Sequence, residues 1–457
     1  MKSEQNPVIQ SNSKVTKKAC LIAVTSALMA ASFGSQAVAS ELGLVEAYEL
    51  ALKNDPTFTQ AELQLKSDDQ SIQAIKGALY PQVQATGNHR RNNSSAASSD
   101  VNSTEFALTL NQSIYQQDIW ARYDQSKTAL EISQLGVQSA KQNLILTVAD
   151  AYFQVLLAKQ NLTLFKTKEE SDFTQLESAK ASVEVGLASR VDVLQAKSSY
   201  DLSRSDRISA ENALDIAKEN LAKIIGQNVD ENSLKQLMMQ AQVPVSEFEA
   251  DKVQNQAKMN NLAVRQTQAQ LEVAIKEIEV QKAAYWPSFS MQASVSDTQY
   301  SGNDNYQDRN DASVNFNVTV PIYTGGATNA NVESSRYQKK ISQEQLRDAV
   351  KSAKLEARTQ LRNIQKGENL ISALREAVKS NDAFLEAAEE GYKVGLKDLL
   401  EVLSARANQV QARKNLIEAM HNQILNYLRL EAALGDLNMD DLARFNALLV
   451  SEDTTVK

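Results

Sequence analysis

One cysteine, Cys20, and two histidines, His89 and His421, are all that 457 residues contain of those types. A single cysteine can form neither an internal disulfide nor a cysteine-based metal cluster, and two histidines exclude histidine-rich metal sites. Glycine (14) and proline (6) are scarce, which excludes collagen-like, disordered and loop-rich sandwich chains. There is no basic surplus: the net charge is −8. A phosphate backbone needs a cationic face, so no nucleic acid is expected as a partner.

Chemical motifs are missing too. No G-x-x-x-x-G-K-[ST] sequence occurs, so the chain is not its own motor. Gly325-Gly326 reads as a turn after a strand, not as a phosphate loop. Glu418-Ala419-Met420-His421 has a Glu-x-x-His spacing, but a di-iron bundle needs two such motifs and two further glutamates. His89 has no glutamate three residues before it, so His421 reads as a helical surface or interface histidine. Neither histidine sits in a nucleophile setting. No catalytic residue, cofactor or metal site is expected, and the chain is not expected to be an enzyme.

Long apolar runs are absent except near the start. Lys14, Lys17 and Lys18 precede an apolar stretch from Ala19 to about Phe33, and Ala37-Val38-Ala39 follows. That order predicts a secretory signal peptide over 1–39; the run falls short of the ~20 residues of a spanning helix. If the mature chain enters a membrane, it must do so as β-strands.

What is present is a duplication. Residues 185–226 begin VGLASRVDVLQAKSSYD and end LAKIIG; residues 394–435 begin VGLKDLLEVLSARANQV and end LEAALG. At an offset of 209, Gly186, Asp192, Leu194 and Gly226 answer Gly395, Glu401, Leu403 and Gly435. Upstream, Tyr80-Pro81 answers Trp286-Pro287 and Ile114-Tyr115 answers Ile322-Tyr323 at nearly the same offset. So long a period is a doubled domain, not a solenoid. The expected repeats are 40–226 and 251–435, joined by a linker over 227–250 in an equatorial region and followed by a polar tail over 436–457.

Helices are predicted at about 44–79, 118–182 and 188–225, then 251–285, 328–391 and 397–434, with a break near Lys53-Asn54-Asp55-Pro56. The 118–182 helix carries a seam with spacings of four and three: Leu130, Gln134, Val137, Lys141, Leu144, Val148, Ala151, Val155, Ala158, Leu162 and Phe165. Such a seam is that of a coiled coil. Ile145, Ala149, Tyr152 and Leu156 form a second stripe, so neighbours are expected on two sides. At ~1.5 Å per residue the helix is a rod of roughly 100 Å.

Strands alternate in polarity. In SFSMQASVS (288–296), Phe289, Met291, Ala293 and Val295 alternate with serine and glutamine; in 313–322, Val314, Phe316, Val318, Val320 and Ile322 alternate with polar residues and Pro321. Phe106, Leu108 and Leu110 do the same in the first half, where the strand at 81–90 is weakest. These runs approach the ~9–11 residues of a transmembrane strand, with polar loops at 91–103 and 297–311. A soluble half-buried hairpin would show the same alternation. Four strands cannot close a barrel, since about eight are needed merely to enclose side chains, and lipid forbids open edges. Several chains would have to share one barrel, and periodicity does not choose how many.

LNQSIYQQDIWARY (110–123), VGLASRVDVLQAKSSYD (185–201), VPIYTGGATNANV (320–332), GYKVGLKDLLEVLSA (391–405) and LEAALGDLN (430–438) together resemble the outer membrane factor family. The resemblance covers nearly all of the mature chain. It implies a mixed α and β fold: four transmembrane β-strands per protomer in a shared 12-stranded trimeric β-barrel, continued by a long periplasmic α-helical coiled-coil barrel. It further implies a passive duct in the outer-membrane lipid for efflux or type I secretion. Its partners would be a periplasmic adaptor (membrane fusion) protein and an inner-membrane pump of RND or ABC type.

The resemblance also implies sites. The VGL turns sit at hairpin tips; Gly186 and Gly395 can take positive φ, and Leu187 and Leu396 would project toward an adaptor. Tyr392 and Lys397 occupy positions that tie an inner helix pair to an outer one, with Asp192 as acidic partner, making a periplasmic gate. Lysine stands where the family's type member has arginine, and lacks its bidentate fork. Glu401, repeated in a trimer, would ring a narrow lumen and favour cations, although Ser404 stands where a second acid is common. The competing reading is a non-channel coiled-coil interaction protein of the periplasm or cell surface, an adaptor or trimeric adhesin.

Overall fold

The computed structural model describes residues 42–92, 101–186, 188–237, 249–302 and 306–450. The segment 1–39 and Leu187 lie outside the described residues. The first half runs α1 (Leu44–Asn54), α2 (Pro56–Gly77), β1 (Gln82–Asn92), β2 (Val101–Tyr115), α3 (Gln117–Glu184) and α4 (Arg190–Ile225). A two-residue strand β3 (Gln236–Leu237) follows. The second half repeats the order: α5 (Ala250–Asn260), α6 (Leu262–Lys282), a 3-10 turn at Ala283–Tyr285, β4 (Ser288–Ser301), β5 (Arg309–Thr319), α7 (Ala327–Lys393) and α8 (Leu399–Leu434). The described residues end with α9 (Met439–Asn446) and β6 (Leu449–Val450).

Local chemistry sets the breaks. The Asp55 carboxylate accepts from the Phe58 amide at 2.8 Å, and Pro56 takes the first helical position, where its missing N–H is no loss. The matching segment of the second half, expected to run unbroken from 251 to 285, breaks as well. Asn261, 206 residues beyond Asp55, accepts from the amides of Ala263 and Val264 at 3.0 and 3.3 Å. Asparagine caps as well as aspartate does, but without a proline the signal is weaker.

Helix α3 has 68 residues. On its seam Leu144, Val148, Ala151, Val155 and Leu162 are buried, and so are Ile145, Ala149, Tyr152 and Leu156 of the second stripe. Both stripes are covered because α4 runs along one side while α2, α6 and α8 pack along the rest. Nearer the sheet, the polar seam members Gln134 and Lys141 are exposed. There Leu135 takes over, packed against Leu262 and Ala269 of α6.

The largest core lies at mid-length, where α1, α3, α4, α7, α8 and α9 meet. The Tyr152 hydroxyl sits 2.9 Å from the Leu42 carbonyl and 3.0 Å from that of Lys235. Of the stretch 436–457, expected as a polar tail, the described part, 436–450, is folded against the core. Leu437, Leu442, Phe445 and Leu449 are buried in this core, and β6 pairs antiparallel with β3 of the inter-repeat segment. The spacing of Leu442, Phe445 and Leu449 was there to see; the polar terminal residues masked it.

The main sheet has the order β1-β2-β4-β5, every neighbour antiparallel. Its strands outrun the expected ones, β2 reaching 15 residues and β4 14. Residues expected in loops continue the ladder, with Thr104 opposite Gln299 and Phe106 opposite Asp297. Ladder hydrogen bonds belong to the backbone and need no apolar side chains. At the other end β5 stops at Thr319, short of the expected Ile322, because Pro321 has no N–H to give the ladder.

Candidate functional site

Register turns the alternation of single strands into two chemically distinct faces. Val83, Leu110, Ala293 and Val314 form one row across all four strands; Ala85, Leu108, Val295 and Ala312 form the next. On the opposite face Gln82, Asn111, Gln292 and Asn315 form a row, and Gln84, Thr109, Ser294 and Ser313 another. The polar rows bond to themselves: Gln292 Nε2 donates to Asn111 Oδ1 at 3.1 Å, and the hydroxyls of Ser294 and Ser313 lie 3.0 Å apart. The apolar rows have no cover in the protomer. Phe316 is 70% and Val318 58% exposed, far more than side chains of a soluble core show. At the helical end of the sheet Tyr80, Trp286 and Tyr323 stand exposed, a position that suits aromatic side chains at a membrane interface. No described helix is long and apolar enough to cross a membrane.

At the far end the chain makes two hairpins, α3 with α4 and α7 with α8. Their turns match. Gly186 and Gly395 take φ of +76° and +75°, and their amides donate to the carbonyls of Val183 and Tyr392 at 3.0 and 3.1 Å. Leu396 projects from its turn, 81% exposed.

Three of the four expected gate residues meet. Asp192, Tyr392 and Lys397 line one cavity of 830 Å³ between the hairpins, together with Gln175, Glu389 and Lys393. Tyr392 belongs to both apolar clusters of this end, against Leu176 and Ala179 of α3 on one side and Ala388 and Val402 on the other. Leu399, at the start of α8, is buried among Leu176, Ala179 and Ala196 of the first hairpin.

Within the protomer, however, Asp192 is not tied to Tyr392 or Lys397. Its carboxylate accepts from the Ser189 amide at 2.8 Å, and its own amide donates to Ser189 Oγ at 3.2 Å, a reciprocal cap at the start of α4. Lys397 instead pairs with Glu401, one turn along, and Glu401 does not line the cavity. The reason is reach: four residues on a helix bring the two side chains together, whereas Asp192 stands on the other hairpin. Two further residues escaped the sequence reading. Asp398 caps α8 by accepting from the Glu401 amide at 2.8 Å; the D-x-x-E spacing was the available signal. The Gly391 carbonyl accepts from both Leu396 and Lys397, and a Cβ on Gly391 would lie 2.6 Å from Lys397 Cγ.

The chain is similar to known outer-membrane proteins in sequence and in fold. Residues 47–227 and 253–436 each match the model of a family described as outer membrane efflux protein. The outer membrane protein TolC of Escherichia coli is 29% identical over 435 residues, covering 91% of this chain and 87% of its own. The proteases secretion protein PrtF of Dickeya chrysanthemi is 25% identical, covering 94% and 95%. Among solved structures, the open state of the MtrE outer membrane channel of Neisseria gonorrhoeae superposes with a TM-score of 0.72. It has 20% identity, over 88% of this chain and 93% of that one.

Proposed function

The chain belongs to the outer membrane efflux protein family, and we propose that three copies of it close one exit duct. It is an outer-membrane channel protein of efflux and type I secretion, with a large periplasmic helical part. The observation that carries the trimeric duct is the sheet, apolar on one face, polar on the other, and open along β1 and β5. Lipid tolerates no unpaired strand edge, so β5 of one protomer pairs with β1 of the next. Three protomers supply twelve strands, which leaves the polar rows lining water. A soluble coiled-coil adaptor or adhesin would have no use for an uncovered apolar sheet face.

The duct is passive. Energy comes from an inner-membrane pump of RND or ABC type, reached through a periplasmic adaptor that docks on the turns at Gly186, Leu187, Gly395 and Leu396. The cavity lined by Asp192, Tyr392 and Lys397 is the seat of the gate, where the two hairpins approach each other. Glu401 contributes to a cation-favouring ring, weakened by its own Lys397.

Fractionation tests the duct. Oligomers that resist detergent until heated, recovered with the outer membrane and conducting ions in planar bilayers, are the expected result. Release of the protein with the soluble periplasm overturns it.

A further inference from the structure

We propose that Arg406 is the separable link holding the second hairpin to the first, and that each hairpin carries its own counterion so that the link can part. The inference rests on the reading of this end as a gate and names a residue pair outside the cavity assigned to it. Asp172, on α3, is 1% exposed. Arg406 Nη1, on α8, donates to its carboxylate at 3.3 Å across the hairpin boundary. On its own side Asp172 accepts from Lys168 Nζ at 3.2 Å and from Ser199 Oγ of α4 at 3.1 Å. Arg406, for its part, donates through Nη2 to Glu389 of α7 at 2.7 Å.

The ownership of these charges is what carries the inference. Asp172 has Lys168 at 3.2 Å wholly within the first hairpin, a cation it shares with the more exposed Asp206 of α4 at 4.0 Å. Arg406 with Glu389 is a neutral pair wholly within the second. Removing one partner from a buried ion pair is costly because it strands a charge. Here, separation of the hairpins strands none: Asp172 keeps Lys168, and Arg406 keeps Glu389. An Asp172–Arg406 pair with no standby partners would be a permanent rivet; this arrangement is a catch.

The duplication shows that the catch is not a by-product of the repeat. At the offset of 209, Arg406, Glu389 and Asp172 answer Lys197, Lys180 and Asn381. Lys197 and Lys180 make local pairs with Asp201 and Glu177 on the exposed surface, and Asn381 donates to the Ala377 carbonyl within its own helix. Only one of the two possible crossings has acquired complementary charge.

The catch predicts opposite effects from its two cations. In trimers reconstituted in planar bilayers, Arg406→Gln favours the open form and Lys168→Met the closed one. Each shift is about tenfold in the closed-to-open ratio, the scale of one charge-assisted hydrogen bond. Arg406→Lys, which keeps the charge and loses the fork, falls between wild type and Arg406→Gln. A merely structural role would move both cation variants the same way, and that result overturns the inference. So does wild-type gating in both variants when spin labels at positions 182 and 393, in a Cys20→Ser background, report an unchanged distance between the hairpins. If the labels separate in Arg406→Gln while conductance stays constant, the catch stands and the gate reading falls. If Asp192→Ala with Tyr392→Phe alters conductance but neither cation variant does, the gate stands and the catch falls.

Discussion

The Phe153 ring meets the His421 imidazole edge to face, with centroids 5.6 Å apart and planes inclined at 68°. This contact seats the imidazole in the core between α3 and α8. Nδ1 donates to the Ile417 carbonyl at 2.8 Å, while Nε2 is buried and has no partner among the described residues. Burial pushes the pKa below the ordinary histidine value of 6.5, and the folded chain therefore holds His421 neutral.

The sign of the pH dependence follows. An unfolded chain takes up the proton near pH 6.5 and the folded one does not. The stability of the neutral form is thus complete above that value and declines as pH falls toward the lowered folded pKa. Each pH unit in that window costs up to about 1.4 kcal/mol. Burial raises the pKa values of Glu431 and Asp441, which works in the opposite direction but is common to wild type and variant. Thermal melting of detergent-solubilised protein should show wild type losing more between pH 7.5 and 5.5 than His421→Met does. Equal losses would contradict the assignment.

The two faces of β5 should respond oppositely to charge. Val318→Arg places a cation on the apolar face near the helical end of β5, at a cost between about 1 kcal/mol near the interface and roughly 4 kcal/mol at the midplane, and should lower oligomer yield in the outer membrane. Asn317→Arg, on the polar face, should assemble as wild type does. Equal yields on a heat-modification gel would reverse or abolish the assigned faces.

Gly395→Arg should abolish export in cells while oligomers persist, since the turn needs φ of +75° and the tip is the proposed adaptor contact. Drug susceptibility checks the first part and gel mobility the second. Normal resistance would remove this turn from the docking surface.

Asp192→Ala combined with Tyr392→Phe should raise single-channel conductance, because both side chains line the cavity between the hairpins. Glu401→Ala should separately reduce cation selectivity and block by multivalent cations. Unchanged values would leave these residues as ordinary surface groups, worth about 0–1 kcal/mol each.

The helices and strands were legible because their signals are local. Proline marked Asp55, glycine marked both hairpin turns, and alternation marked Val314, Phe316 and Val318. The partners of Asp192 and Lys397 were not legible. Each had a tertiary candidate and a local one, and the local partners, Ser189 and Glu401, sit three and four residues away, where a helix delivers them without further folding. Arg406 and Asp172 were hidden for the converse reason. They are 234 residues apart, and nothing in either neighbourhood distinguishes them from solvated helix charges. The order of the closing segment was missed because Leu442, Phe445 and Leu449 lie in a short stretch rich in acids.

The middle seam of the sheet joins β2 of the first repeat to β4 of the second. It is the same kind of junction, second strand of one hairpin to first strand of another, that β5 makes with β1 of a neighbour in the proposed duct. A chain of one repeat would present that junction at both edges of a lone hairpin, and six such chains would furnish the twelve strands that three supply in the proposed duct. Joining two halves in one polypeptide made alternate junctions covalent neighbours and freed the two hairpin types to diverge. A sixfold ring of identical hairpins has no inner and outer kind; a threefold ring of unequal pairs does, and only in the latter can Arg406 exist on one kind and Asp172 on the other.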